Sequence, residues 1–273
     1  MLASFLLSLR EGLEAALIIG IVLGALKKFD RRGLSTAVWL GAGSAAVVSL
    51  IAALVLQAIG ASLEGAAEQW FEGITMVFAA ALLTWMIFWM QSHARFLKTE
   101  LEANVQQATR GDGKMPMFLV AFLAVVREGI ELALFLVAVN LTTSPEQTLW
   151  GALLGLAGAV ALGWLLFSST VRLDLRRFFQ VTSFILIVFA AGLLAHGIHE
   201  FNELGVIPGI IEHLWDMNGI LDENSLVGQI LKSLFGYNGN PSLTEVIAYL
   251  GYFAAIWLAT RRSSAKLAQT TPA

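Results

Sequence analysis

One short pattern occurs twice in the chain: residues 9–14 read Leu-Arg-Glu-Gly-Leu-Glu, and residues 126–131 read Val-Arg-Glu-Gly-Ile-Glu. Both copies interrupt long apolar stretches. A charged side chain at the centre of a membrane helix costs about 2.5–3.5 kcal/mol, and function is the usual reason for keeping one. A second pair of similar segments, residues 77–83 and 188–194, follows at nearly the same offset. The sequence therefore predicts a duplicated structure with the charged pattern at equivalent points.

The composition around this pattern is typical of an integral membrane protein. Of the 273 residues, 57% are apolar and 14% are charged, whereas a soluble domain carries about 25% charged residues. This balance excludes a disordered chain and argues against a nucleic-acid partner. The chain contains no cysteine, which excludes disulfides and thiolate metal sites. Any metal must therefore be bound by oxygen or imidazole.

Seven apolar stretches are long enough to cross a membrane, which takes about 20 helical residues. They cover residues 2–26, 35–60, 69–91, 116–141, 147–171, 178–199 and 244–260. With three spans per copy, the second copy must enter the membrane inverted, as in many transporters. We therefore predict an all-α integral membrane protein with seven transmembrane helices, built as a 3+3 inverted-topology repeat plus one extra C-terminal helix. This single transmembrane domain, residues 1–273, divides into repeat one (about 1–92), repeat two (about 116–200), an outer loop (200–243) and the seventh helix (about 244–260).

The charges in the connections predict the orientation. Fourteen of the 17 basic residues fall in the connections 27–34, 92–115 and 172–177 and in the tail after residue 260. The positive-inside rule places these segments in the cytoplasm, so the N-terminus lies outside and the C-terminus inside. Eleven of the 20 acidic residues fall on the opposite side, where Lys232 is the one basic residue. Such an acidic outer face would attract cations. The alternative is that acidic residues are merely tolerated outside, since Asp and Glu contribute little to topology.

The repeated pattern has the spacing of a cation site. Glu11 and Glu14 lie three residues apart on one helix face, and Arg10 lies four residues from Glu14. The second copy repeats this spacing with Arg127, Glu128 and Glu131. If the two helices meet in antiparallel fashion, four carboxylates and two guanidinium groups come together, and their net charge of −2 favours a hard cation such as Fe(III), Mn(II), Mg(II) or Ca(II). The alternative is structural: each arginine neutralises its own glutamates and fixes helix packing.

A second group of polar residues lies at the outer ends of two spans. Four of them share one helix face at the end of the sixth span: His196, His199, Glu200 and Glu203. Glu72 lies one turn inside the third span. Imidazole and carboxylate ligate transition metals, so these residues are candidates for an entrance path. The alternatives are a hydrated polar helix end, and for Glu72 a favourable contact with the helix dipole.

The remaining sequence signals are interpreted as structural. Trp85 and Trp89 lie near the inner end of the third span, where aromatic belts form. In the outer loop, apolar residues at helical spacing predict short helices over 210–214 and 226–235. Ser242 and Glu245 have the spacing of a capping box at the start of the last helix.

These residues resemble those of a known family. Two Arg-Glu-x-x-Glu motifs in the first and fourth of seven spans are similar to those of the high-affinity, oxidase-dependent iron permeases. Phe71-Glu72-Gly73-Ile74 and Leu83-Thr84-Trp85-Met86 are similar to the bacterial Efe-type branch. The resemblance implies import of iron, in the ferric form, across the bacterial cytoplasmic (inner) membrane. It also implies periplasmic partners that oxidise or deliver the iron.

The resemblance also assigns roles to the repeated pattern. It implies that the four glutamates bind iron and that Arg10 and Arg127 support them as balancing charges. Iron is then a transported substrate and no cofactor is bound permanently, so the chain is not expected to be an enzyme. Its expected partners are iron ions, the lipid bilayer and the periplasmic proteins.

Two other functions remain open from the sequence. One is a transporter or channel for another hard divalent cation. The other is a membrane-embedded di-iron oxidase, although di-iron bundles combine Glu with Glu-x-x-His and the repeated pattern contains no histidine.

Overall fold

The computed structural model describes the chain except for residues 109–112, 169–174, 224 and 270–273. These exceptions take in parts of the basic connections 92–115 and 172–177 and of the C-terminal tail, as well as residues 169–171 of the fifth predicted span. The described part contains eight α-helices and one 3-10 turn (Arg32–Leu34), and no strand. The α-helices are α1 (Leu2–Lys28), α2 (Ser35–Ala61), α3 (Ala66–Ala108), α4 (Lys114–Thr142), α5 (Pro145–Ser168), α6 (Leu175–Glu203), α7 (Leu226–Phe235) and α8 (Leu243–Gln269).

Seven of these helices are long, and each overlaps one of the seven predicted spans, although α3 and α8 extend well past the predicted ends. In the described part, five helices contain stretches long and apolar enough to cross a membrane: α2, α3, α5, α6 and α8. The other two, α1 and α4, each carry the three charges of the repeated pattern inside an otherwise apolar helix. The chain is therefore a multi-pass membrane protein, while the crossing of α1 and α4 stays a prediction.

The chain forms two compact units. The first contains residues 1–63 and 82–186, and the second contains residues 64–81 and 187–273. Helices α3 and α6 each contribute to both units. Each unit combines parts of both predicted repeats. The division of the chain into two repeats, an outer loop and a seventh helix therefore stays a prediction.

Within the first unit, several helix contacts join the two predicted repeats. Helix α1 packs on α5, and α4 packs on α2, while α1 and α4 also contact each other. Glycine allows the close approach in both pairs. A Cβ added to Gly155 of α5 would lie 2.9 Å from the backbone nitrogen of Leu9, and one added to Gly41 of α2 would lie 2.5 Å from the carbonyl oxygen of Phe118. Small residues permit such close backbone packing of membrane helices.

Helix α3 extends well past the span predicted from the sequence. Its 43 residues, at 1.5 Å each, make a helix about 64 Å long, about twice the thickness of the hydrocarbon core. Near its C-terminal end, Leu101 and Val105 are buried in an apolar cluster with Ile18 and Val22 of α1 and Met117 of α4. The end of α3 is thereby fixed alongside the C-terminal half of α1.

In the second unit, α3 and α6 approach closely through two glycines. A Cβ added to Gly73 would lie 2.9 Å from the ring of Phe201, and one added to Gly197 would lie 2.8 Å from a methyl group of Val77. The end of α7 also packs tightly, because Gly236, in the left-handed conformation at φ 66°, contacts the backbone of Gly192. Glycine is the residue that both positions require.

The outer segment contains one of the two predicted short helices. Helix α7 begins after Ser225, whose Oγ accepts a hydrogen bond from the backbone nitrogen of Gly228 at 3.0 Å. The prediction of a helix over 210–214 is wrong. There the backbone N–H of Leu214 donates to Pro241 at 2.9 Å, and the carbonyl of Ile211 accepts from Leu243 at 3.0 Å. These hydrogen bonds to the chain at the start of α8 take the place of the backbone hydrogen bonds that a helix over 210–214 would form.

The capping box at the start of α8 is confirmed. The backbone N–H of Glu245 donates to Ser242 Oγ at 3.2 Å, and the backbone N–H of Ser242 donates to Glu245 Oε1 at 3.0 Å. The two residues therefore satisfy each other's backbone donors at the helix start.

Candidate metal centre

The arginine of the first motif is fully buried and held on three sides. Arg10 Nη1 donates to Glu11 Oε1 at 3.0 Å and approaches the sulfur of Met86 at 2.9 Å. Arg10 Nη2 forms an ion pair with Glu14 Oε1 at 3.1 Å. The Arg10 side chain is 0% exposed. This guanidinium group is therefore enclosed by its own motif and by α3.

The arginine of the second motif has different surroundings. Arg127 Nε donates to Glu131 Oε1 at 3.0 Å and lies 3.9 Å from Glu128 Oε1. Its side chain is 38% exposed. Its guanidinium carbon lies 4.6 Å from the ring centre of Trp89 and 5.9 Å from that of Trp85. These distances are those of cation–π contacts.

Three of the four motif glutamates converge. Glu11, Glu128 and Glu131 each offer a carboxylate oxygen, and these oxygens all lie within 4.8 Å of one another. All three residues are buried. Glu14 does not belong to this group; it is buried, and it is paired with Arg10 as described above. In the described ranges, no other cluster of at least three acidic or histidine side chains meets the same distance.

The hydrogen bonding of these carboxylates is incomplete. Glu11 Oε2 and Glu131 Oε2 are buried and accept no hydrogen bond from any described residue. Closely spaced buried carboxylates repel one another and are costly unless a positive charge compensates them. Two arginines leave the four glutamates with a net charge of −2. A hard metal ion bound by carboxylate oxygens fits both the charge and the free acceptors.

Helix packing at the motif glycines positions the site. Gly12 and Gly129 occupy the centre of each motif. A Cβ added to Gly12 would lie 2.8 Å from Cβ of Ala159 on α5, and one added to Gly129 would meet the side chain of Ser49 on α2. The missing side chains therefore let α5 and α2 pack directly against the motif helices.

A cavity of about 180 Å³ reaches the motif residues. Glu14, Arg127 and Glu128 line one part of it, and Glu100 and Asn104 of the α3 extension line another. Glu100 and Asn104 are exposed to solvent. The volume accommodates several water molecules, each occupying about 30 Å³ in the liquid. A hydrated ion can therefore be accommodated beside the motif carboxylates.

The histidine group at the end of α6 makes local contacts. His199 Nδ1 lies 3.0 Å from Glu245 Oε1, and its Nε2 lies 3.3 Å from Glu203 Oε1. His196 Nδ1 lies 3.0 Å from the carbonyl oxygen of Gly192. Both ring nitrogens of His199 are therefore engaged with carboxylates, and this side chain joins α6 to α8. The use of these residues in an entrance path stays a prediction.

The acidic residues of that predicted path lie close together in the second unit. Glu200 is near enough to Glu72 and Glu203 for mutual electrostatic repulsion. Glu203 Oε2 also accepts a hydrogen bond from Gln69 Nε2 at 2.7 Å. The structure thus brings Glu72, from α3, to the acidic end of α6.

Three residues of α3 contact the motif arginines and were not predicted from the sequence: Met86, Trp85 and Trp89. The sequence pattern assigns both tryptophans to an aromatic belt, because they lie near a span end. A tryptophan over an arginine and one at a lipid interface have the same sequence signal.

The chain is similar to known proteins over most of its length. Residues 1–261 match the iron permease FTR1 family. The ferrous iron permease EfeU of Escherichia coli O6:K15:H31 (strain 536) is 37% identical over 92% of both chains, and EfeU of Escherichia coli O157:H7 gives the same values. EfeU of Yersinia pestis is 35% identical over 92% of this chain and 90% of its own. No solved structure matches the chain. Permeases are transporters rather than enzymes, and on its sequence this chain belongs to the FTR1 iron permease family.

Proposed function

We propose that this chain imports iron across the bacterial cytoplasmic (inner) membrane through a site formed by its two Arg-Glu-x-x-Glu motifs. The observation that carries the proposal is the convergence of Glu11, from the first motif, with Glu128 and Glu131, from the second. Neither motif alone supplies three ligands. The site therefore depends on the contact between α1 and α4.

The ligand chemistry supports ferric iron as the bound form. Carboxylate oxygens are hard ligands, and the cluster contains no imidazole or sulfur, which softer metals favour. Glu14 is the proposed fourth ligand, once an incoming ion competes with its ion pair to Arg10. The curated relatives are named for ferrous iron. A comparison of Fe(II) and Fe(III) uptake therefore tests the oxidation state of the transported ion.

The same proposal includes seven transmembrane helices in an inverted repeat, with the N-terminus outside and the C-terminus inside. Helix α1 packs on α5, and α4, the counterpart of α1, packs on α2, the counterpart of α5. This reciprocal packing supports the inverted repeat, because exchanging the two repeats converts one helix pair into the other. The motif glycines support it too, because Gly12 and Gly129 meet Ala159 and Ser49 at matching points. Alternating access around the motif site would follow the pattern of other inverted-repeat transporters.

The proposed direction of transport is from the acidic face to the basic face. Iron supplied by periplasmic iron-oxidising or iron-delivering proteins would first be attracted by Glu72, Glu200 and Glu203. After binding at the motif glutamates, it would leave through the cavity that Glu100 and Asn104 line. The basic connections predicted for the cytoplasmic side place that exit inside.

A flux assay with purified protein tests this function. In proteoliposomes that contain an iron chelator, we expect iron uptake at least about tenfold faster than uptake of Mg(II), Ca(II) or Mn(II). Iron is offered as Fe(III)-citrate and, with ascorbate, as Fe(II), and we expect faster uptake of the ferric form. Flux of Mg(II) or Ca(II) without iron flux would support the alternative function, a transporter or channel for another hard divalent cation. Oxidation of Fe(II) without net uptake would support the di-iron oxidase.

Neutralising the outer acidic residues should weaken the capture of iron in a salt-dependent way. For Glu72→Gln and Glu200→Gln, we expect the apparent KM for iron to rise about two- to fivefold at low salt, with little change in maximal rate. The difference should shrink at 0.5 M salt, because salt screens the attraction between these half-buried carboxylates and an ion in solution. Glu212→Gln, at an exposed residue outside this cluster, is the control. An unchanged KM at low salt would contradict a role for these residues in capture.

A further inference from the structure

The two motif arginines are equivalent in sequence but not in structure. Arg10 is 0% exposed and contacts both of its glutamates and Met86, whereas the side chain of Arg127 is 38% exposed. Arg127 also lines the cavity that reaches Glu14 and Glu128, and Arg10 does not. Arg127 is therefore the arginine that has room to change position.

The aromatic residues of α3 provide one of the contacts that hold Arg127, beside its hydrogen bond to Glu131. Trp85 and Trp89 lie four residues apart on α3, with ring centres 6.3 Å apart. The Arg127 guanidinium lies 4.6 Å from the ring centre of Trp89, the closer of the two. Trp89 also lines the cavity together with Arg127. The indole thus holds the positive charge at the wall of the cavity.

A released Arg127 would be a tethered competitor of the incoming cation. Its guanidinium already lies 3.9 Å from Glu128 and hydrogen-bonds to Glu131. Arg127, Glu128 and Glu14 all line the same cavity. A guanidinium released into that cavity would be free to pair with either carboxylate, because charge-assisted hydrogen bonds favour such a pair. Those are the carboxylates that face the cavity.

We propose that Trp89 is a positioning residue, which holds Arg127 against the cavity wall and leaves the carboxylates of Glu14 and Glu128 available to the transported cation. This inference rests on the proposed function, because it assigns the cavity to the path of the ion. Trp89 acts through Arg127 and does not bind iron itself.

Kinetics of iron uptake test this role. For Trp89→Leu, we expect the KM for iron to rise about three- to tenfold with an unchanged maximal rate, and for Trp89→Phe a smaller rise, since phenylalanine keeps a weaker cation–π contact. Trp257→Leu is the matched control, because the ring centre of Trp257 lies 3.9 Å from the guanidinium of Arg261 and neither residue lines the cavity. An unchanged KM in Trp89→Leu, or a lower maximal rate at the same KM, would overturn the proposal.

A double-mutant cycle separates this role from general damage. Binding of iron, supplied as Fe(III)-citrate, to the detergent-purified protein is measured in four forms: wild type, Trp89→Leu, Arg127→Gln and the double variant. We expect Trp89→Leu to weaken binding in the wild-type background and to change it less than about twofold when Arg127 is absent. Equal weakening in both backgrounds would overturn the proposal. A wild-type protein without iron flux would instead refute the proposed function itself.

Discussion

Replacing Glu11 or Glu128 by glutamine is expected to reduce iron uptake into proteoliposomes by at least about 100-fold. Each substitution keeps the size of the side chain but removes one of the three converging carboxylates. Removing one partner of a buried ion pair costs about 3–5 kcal/mol. A similar loss at the metal site corresponds to roughly two or more orders of magnitude in affinity for the ion. The measurement is the initial rate of iron uptake by equal amounts of folded protein.

The control for these two variants is Glu146→Gln. Glu146 is exposed in the first turn of α5, so the same chemical change should leave uptake close to that of wild type. Size-exclusion chromatography shows whether all variants fold. Undiminished uptake by both Glu11→Gln and Glu128→Gln would contradict the proposed site.

Adding one methyl group at the centre of the second motif should strongly destabilise the protein. In Gly129→Ala, the new Cβ would overlap the side chain of Ser49 on α2, whose Cβ would lie 2.6 Å away. Overpacking of this kind costs about 1–3 kcal/mol. We expect a lower Tm of the detergent-solubilised protein and slower iron uptake, because the same helix carries Glu128 and Glu131.

A compensating change should restore this variant. Ser49→Gly removes the atoms that the new methyl group meets, so Gly129→Ala with Ser49→Gly is expected to regain most of the lost Tm and uptake. Gly43→Ala on α2 is the control, since a Cβ at that position has no neighbour within 4 Å. If Ser49→Gly restores neither Tm nor uptake, the result would contradict the close packing of Gly129 on α4 against Ser49 on α2.

The sequence predicted the long helices well. Apolar length fixes where a helix can cross a membrane, and the bounds of α1, α2 and α4 lie within about two residues of the predicted spans. The family and the motif positions also followed from the sequence, because a doubled Arg-Glu-x-x-Glu pattern is chemically specific. The extension of α3 to Ala108 did not follow from hydropathy, because its buried residues, Leu101 and Val105, alternate with polar ones.

The neighbours of each helix could not be predicted. Hydropathy does not distinguish a contact of α1 with α5 from one with α2, since all three helices are predominantly apolar. The same limit applies within the site, where the four glutamates have equivalent spacing but Glu14 stays with Arg10 while the other three converge.

The different surroundings of the two arginines had no sequence signal either. Arg10 and Arg127 occupy the same position of the motif, so their burial depends on which residues of α3 face each one. Met86 covers Arg10, and Trp89 lies against Arg127. These partners come from a helix outside the motif, and only the fold specifies them.

X-ray absorption at the iron edge tests the central claim most directly. Purified protein loaded with iron should show a first coordination shell of oxygen alone, without the outer-shell scattering of imidazole. The Glu11→Gln, Glu128→Gln double variant should retain little of that iron under the same conditions. An imidazole or sulfur ligand in the wild-type spectrum, or the same oxygen-bound iron in the double variant, would contradict a carboxylate site shared by the two motifs.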